Sequence, residues 1–250
     1  MERARAAARR NVVLYATAAL AGARAGRPRE ALGLLARKVN AKGNGAGKKW
    51  EMVGPMALDA IPPNAYFWNA VAQLDAKKTS STFNQIEYFK DLVEVIKLHG
   101  QEPTSYVYSQ LLQAYANDSS KSWVEEAISL LKEATVKLSF DNKQKVKLYN
   151  IALNVCAEAQ REDLIHSLIE QMKQEGLHPD EISHSALVKC LGKQGRWEEA
   201  AAALQAMRAS GAAPDLAAGN ALLNACAEAG DPAAARRAAA AMLGGGGGGG

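Results

Sequence analysis

Cysteine and histidine are scarce in this 250-residue chain, with three and four copies. There is no Cys-x-x-Cys pair and no clustered histidine, which excludes a disulfide framework and a structural zinc knuckle. Aromatic residues make up 6%, and valine, isoleucine and threonine are too few and scattered for a large sheet. No apolar run approaches the roughly eighteen residues of a membrane span. The glycine-rich stretch Gly43-Asn-Gly-Ala-Gly-Lys-Lys49 has the wrong spacing for a phosphate loop and lacks its Ser/Thr after the lysine. No nucleophile, base and orienting group fall together. The chain is therefore read as a non-enzyme that needs no cofactor and binds no metal.

What is present is alanine, at 49 residues, with 21 glycines. Alanine loses no side-chain entropy in a helix, so this composition favours helices. Charge is unevenly spread. Residues 1–50 carry twelve Lys/Arg against two acids, a net of +10, and residues 51–250 carry eighteen against twenty-four, a net of −6. A basic end suits nucleic acid, an anionic membrane or an import receptor, and equally a solvated flank. The opening Met1-Glu-Arg-Ala-Arg-Ala-Ala-Ala-Arg-Arg10 has the basic, acid-poor character of an organellar transit peptide, though without serine.

Internal periodicity decides the architecture. Met172, Met207 and Met242 are spaced by 35, as are Pro179 and Pro214, each followed by aspartate. Asn150, Ser185 and Asn220 keep the same interval, and Val155-Cys-Ala-Glu-Ala-Gln160 returns as Ala225-Cys-Ala-Glu-Ala-Gly230 after twice 35. In the unit opening at Glu181, the residues Ile182, Ala186, Leu187, Cys190 and Leu191 predict a first helix with one apolar stripe. Gly192 to Gly195 breaks it. Arg196-Trp-Glu-Glu-Ala200 opens a second helix, with acids in its first turn where the positive end of the dipole favours them. Ala200, Ala203, Leu204 and Met207 form the second stripe, and Gly211 and Pro214 stop the helix. Cys156, Cys190 and Cys226 fall at equivalent or adjacent first-helix positions, where they read as interior packing residues.

The same pattern divides the rest of the chain. Residues 1–11 are a basic extension. A first unit over 12–64 has its second helix running to Lys38, then a flexible Gly/Lys-rich insertion at 40–64, whose lysines could alternatively touch phosphates. Looser units cover 65–104 and 105–145, clean ones 146–180 and 181–215, and a shortened one 216–243 before the glycine run 244–250, which is expected to be disordered. The fold class is thus all-α, a right-handed α-solenoid of about six helix-turn-helix repeats. No hairpin of this size buries its apolar face alone, so neighbours must stack. The open face beside the glycine run predicts further repeats or a docked partner.

Units of 35 residues ending in Gly-x-x-Pro-Asp, with Gly195-Arg-Trp-Glu-Glu-Ala200 at the turn, resemble the pentatricopeptide repeat family. That resemblance implies binding of single-stranded RNA, one nucleotide per repeat, in a mitochondrion or chloroplast. The implied readers are the fifth residue of the first helix and the last residue of the repeat. Carried over to this chain, Asn150 with Asp180 matches the pairing for uracil and Ser185 with Asp215 the pairing for guanine. Asn69 with Thr104 is pyrimidine-like, and Ser109 with Asn142 adenine-like. The partner position of Asn220 falls in the glycine run, and Ala16 carries no polar group. The second position of each repeat, a wedge between bases, falls on Lys147, Ile182 and Ala217. Amides, hydroxyls and carboxylates can sort the donors and acceptors of an exposed Watson–Crick edge. The same residue types also cap helices, so Asp180 and Asp215 could be N-caps of the helices that follow. The leading reading is transcript processing, stabilisation or translation through bound RNA. The alternative is a scaffold subunit, associated with a ribosome or another organellar complex, that grips protein or rRNA. The net negative charge of residues 51–250 favours the alternative, because RNA affinity leans on phosphate neutralisation.

Overall fold

Acids in the first turn, alanine and leucine inside and glycine after the last turn recur along the chain, and each such stretch is a helix in the computed structural model. The structure describes residues 17–18, 21–22, 25, 27–33, 36–40, 48–52, 65–73, 84–118, 120, 122–137, 141–209, 216–228, 233 and 236. Asp215, Ala16, the loop at 77–82 and the glycine run lie outside them. The chain divides into two units, 1–114 and 115–250.

The first unit contains α1 (Pro28–Gly33), β1 (Ala36–Asn40), β2 (Lys48–Met52), α2 (Ala65–Ala72), α3 (Gln85–Leu98) and the start of α4 (Ser105–Asn117). Pro28 opens α1, where a missing N–H costs no hydrogen bond. The expected continuation of this helix to Lys38 does not occur. From Ala36 the chain is extended and pairs antiparallel with β2, Arg37 opposite Glu51 and Lys38 opposite Trp50. Lys48 and Lys49 therefore sit in a strand, not in a flexible loop. Trp50 is buried and its indole N–H donates to Asp91 on α3 at 3.0 Å, which ties the hairpin to the helices. Trp68 of α2 is buried with its N–H on Gln101, and the Tyr88 hydroxyl of α3 donates to the Val71 carbonyl at 3.0 Å.

The second unit is regular. It contains α5 (Val124–Lys137), α6 (Asn142–Glu158), α7 (Glu162–Gln174), α8 (Glu181–Lys193), α9 (Trp197–Ala209) and α10 (Leu216–Glu228). The first helices of successive repeats, α6, α8 and α10, pack one on the next and form one layer. The second helices lie across them: α7 meets α6 and α8, and α9 meets α8 and α10. This is a two-layer α-solenoid. Its best-defined core joins Val188 and Leu191 of α8, Ala200 and Leu204 of α9, and Ala218, Leu222 and Cys226 of α10. Each such leucine, moved from water to this interior, contributes about 1.5–3 kcal/mol. Trp197 packs against the cluster and Met207 is buried. Ile182, which its spacing assigns to the apolar stripe of α8, instead stands 54% exposed.

Helix ends explain the period. After α7, Gly176 takes φ +70° and Leu177 N–H reaches back to the Met172 carbonyl at 2.8 Å. After α8, Gly195 takes φ +72° and Arg196 N–H reaches the Leu191 carbonyl at 3.0 Å. A left-handed residue closes the helix in this way, and glycine does so without a Cβ penalty. The equivalent residue after α6 is Gln160 at φ +58°. Its side-chain amide donates to the Lys193 carbonyl at 2.9 Å, and Gln194 returns a bond to the Gln160 carbonyl at 3.0 Å. Helix α8 passes close to α10: a Cβ on Gly192 would lie 2.8 Å from the Ala221 carbonyl oxygen.

Candidate nucleic-acid interface

The fifth-position asparagines reach forward along the chain: their side chains touch residues 30 to 35 positions on. The Asn150 amide nitrogen donates to both carboxylate oxygens of Asp180, each at 3.0 Å. Asn150 is buried at 8% exposure, whereas Asp180 is exposed. Asp180 is also the N-cap of α8: its carboxylate accepts from Ser183 N–H at 3.0 Å in a reciprocal capping box. The two readings of Asp180, cap and partner of Asn150, therefore coexist in one side chain. Ser183, fully buried, donates its hydroxyl to the Asn150 side-chain oxygen at 2.5 Å. Sequence reasoning missed this third member. It orients the amide, with nitrogen toward the carboxylate and oxygen toward the serine.

In the first unit the Thr104 hydroxyl bonds the Asn69 side-chain oxygen, so a second expected pair is in direct contact. Thr104 also accepts from Val107 N–H at 3.3 Å at the start of α4. The serines behave differently. Ser109, 2% exposed, gives its hydroxyl to the Tyr106 carbonyl, and Ser185, 5% exposed, gives its own to the Glu181 carbonyl, both at 2.7 Å. These bonds run back along the serines' own helices. Asn142 is the exposed first residue of α6, which starts four residues before the expected unit boundary at 146 because Asp141 and Gln144 make a capping box there. Among the wedge positions, Ile182 and Lys147 are exposed. Asn220 is exposed on α10.

The Asn150 row continues along its helix. Asn150, Asn154 and Glu158 are spaced by four on α6, and Ser185, Lys189 and Lys193 occupy the same repeat positions on α8. Lys189 reaches Asn154 at 2.7 Å and one Glu158 oxygen at 2.5 Å, and Lys193 reaches the other at 2.8 Å. Partial burial alone would raise the Glu158 carboxyl, but the two ammonium groups outweigh it and hold the carboxyl below its ordinary 4.5. A second inter-repeat ladder runs through the turns. Arg161 bridges Asp163 at 2.9 Å and Glu125 at 3.4 Å, and Arg196 bridges Glu162 at 2.5 Å and also Glu199.

The cysteines are all buried and free, as expected of packing residues. Burial pushes the Cys156 and Cys190 thiols up to about 12 and about 11, so neither presents a thiolate near neutral pH. Among the described residues no group of His, Cys, Asp and Glu could hold a metal, and no helix is long and apolar enough to cross a membrane.

Residues 142–239 match the family model described as the pentacotripeptide-repeat region of PRORP. This stretch is similar in sequence to pentatricopeptide repeats. Two pentatricopeptide repeat-containing proteins of Arabidopsis thaliana are similar to the chain, one named chloroplastic. One is 26% identical over 133 residues, which is 53% of this chain and 29% of the relative. The chloroplastic one is 29% identical over 119 residues, 47% of this chain and 23% of the relative. The chain thus spans less than a third of either curated relative. The pentatricopeptide repeat domain of Arabidopsis protein-only RNase P 1, solved with tRNA, superposes with a TM-score of 0.48 at 16% identity, covering 64% of this chain and 81% of that one. The protein PPR10, solved with an 18-nt psaJ RNA element, gives 0.49 at 20% identity, covering 91% and 34%.

Proposed function

We propose that this chain binds single-stranded RNA along the face that carries Asn150, Asp180 and Ile182, acting in a mitochondrion or chloroplast on the processing, stability or translation of a transcript, with no catalysis of its own. The observation that carries this reading is the Asn150–Asp180 contact. A polar pair reaching from α6 to the start of α8 sets an exposed carboxylate, held by the buried Asn150 amide, two residues before an exposed isoleucine. An unstacked base could lie on the isoleucine while its Watson–Crick edge meets the polar pair. The clean pairs then read uracil at Asn150/Asp180 and guanine at Ser185/Asp215, with the looser Asn69/Thr104 and Ser109/Asn142 preferring pyrimidine and adenine. The basic stretch 1–50 supports an organellar address.

The test is binding of short single-stranded RNAs that differ only at the base opposite Asn150. Asn150→Ser should move the preference there from uracil to guanine, by about 1–3 kcal/mol of discrimination, as a base-edge contact gives elsewhere. An unchanged preference in a folded variant would sink the assignment. The scaffold reading, favoured by the net charge of −6 over residues 51–250, gains if no RNA is retained while a protein complex or rRNA crosslinks to the chain in organelle extract.

A further inference from the structure

The face that carries the Asn150–Asp180 contact holds two ammonium groups that an internal carboxylate already occupies. Lys189 and Lys193 lie one helical turn apart on α8 and both point at Glu158 on α6, one to each oxygen, at 2.5 and 2.8 Å. Asn154 completes the arrangement from α6 with its oxygen 2.7 Å from Lys189. All three charged side chains are partly sheltered, with 24% exposure for Glu158, 29% for Lys189 and 35% for Lys193. Two cations, one on each oxygen of a single anion, is also the arrangement that two lysines would make with the two non-bridging oxygens of a phosphodiester. Shelter makes this exchange matter: the pair is less screened by salt than an exposed one, so a phosphate must compete with the carboxylate and not with water alone.

We propose that Glu158 is an affinity-setting residue for this interface, an internal competitor that takes the place of an RNA phosphate on Lys189 and Lys193. The inference rests on the RNA-binding reading above. In the wild-type chain the one carboxylate occupies both lysines across the α6–α8 junction and offsets half of their charge, so they add little to affinity. Removing the negative charge frees both for phosphate. The identity of the base is untouched, because phosphate contacts position a strand and carry no sequence information.

The experiment uses the full-length chain and fluorescently labelled single-stranded RNA, with binding measured at several salt concentrations. Glu158→Gln keeps the side-chain shape and should tighten binding about five- to tenfold at low salt, and steepen the salt dependence by about 0.7–1.4 in the log–log slope, the value for one to two added single-strand phosphate contacts. Adding Lys189→Gln and Lys193→Gln to Glu158→Gln should abolish both gains, and so should RNA whose phosphates are replaced by uncharged methylphosphonates. If Glu158→Gln melts early, the triple variant Glu158→Gln/Lys189→Gln/Lys193→Gln, which leaves no stranded charge, reads the same balance against the wild type. It should change affinity less than about twofold and leave the slope unaltered, because Glu158 already silences the pair. A tenfold loss there would show that the lysines already reach phosphate, and would overturn the proposal. RNA binding by the wild type with no change in a folded Glu158→Gln overturns this inference alone. Absence of RNA binding in every variant overturns it together with the reading beneath it.

Discussion

Gly192 is the position where stacking of the repeats can be tested with a single methyl group. It lies at the end of α8, against the backbone of α10 in the next repeat. An added Cβ would meet the Ala221 carbonyl oxygen at 2.8 Å, its carbonyl carbon at 3.3 Å and its Cβ at 3.6 Å. Two of these atoms are main chain, so relief requires α8 and α10 to separate. Gly192→Ala gains helix propensity, at most about 1 kcal/mol in a helix interior and less one residue from the end of α8. Against that stands overpacking at about 1–3 kcal/mol. The net expectation is a loss of about 0.5–2 kcal/mol, with a larger penalty for Gly192→Val. Because each repeat leans mainly on its neighbours, the loss should be local. Hydrogen exchange should accelerate in α10 and in the end of α8, while α6 and α7 keep their protection. Denaturant titration gives the total, and peptide-resolved exchange gives the place. A neutral or stabilised Gly192→Ala with unchanged α10 protection would refute the close approach of the two helices.

Two further outcomes follow from the α6–α8 junction. Ser183→Ala strands the buried oxygen of Asn150 and removes half of the α8 capping box, so it should cost about 1–3 kcal/mol in denaturant; a change below a few tenths would show that the serine does not hold the amide. Glu158 has a depressed folded-state carboxyl. Its contribution is therefore fully present above the ordinary value of 4.5 and is lost as pH falls through the lower folded value. The stability gap between wild type and Glu158→Gln should accordingly close as pH falls below 4.5, and a gap that stays constant through that fall would remove the ion pair as its source.

The pairing of Asn150 with Asp180 and of Asn69 with Thr104 was implied by the family resemblance, and each pair is in contact; residues about one period apart become neighbours once repeats stack. The same rule contains the contact of Lys193 with Glu158 and of Lys189 with Asn154, each 35 residues apart, and it went unused because those residues carry no recognisable motif. Ser183 escaped because it sits in the helix that its own repeat begins, yet serves the side chain of the repeat before. Asp141-Asn-Lys-Gln144 is a capping-box pattern that marks the start of α6 in the sequence, four residues ahead of the boundary that the 35-residue period implies. The hairpin of β1 and β2 could not be read this way. Local helical spacing ran past Gly33, whereas the strands are held by Trp50 reaching Asp91, a contact across 41 residues.

The bonds of Asn150 and Asp180 to Ser183 cross the line between residues 180 and 181 that separates one period from the next. The smallest transferable piece of this array is therefore a junction and not a repeat. Anyone exchanging 35-residue cassettes cut at that line would import a new Ser183 equivalent with the wrong side chain's amide to hold, and would part Glu158 from its lysines in the same stroke. A graft cut inside α7, between Glu162 and Gln174, would carry Asp180, Ser183 and both lysines together and leave behind the three α6 groups of this cluster, Asn150, Asn154 and Glu158, to be matched by hand.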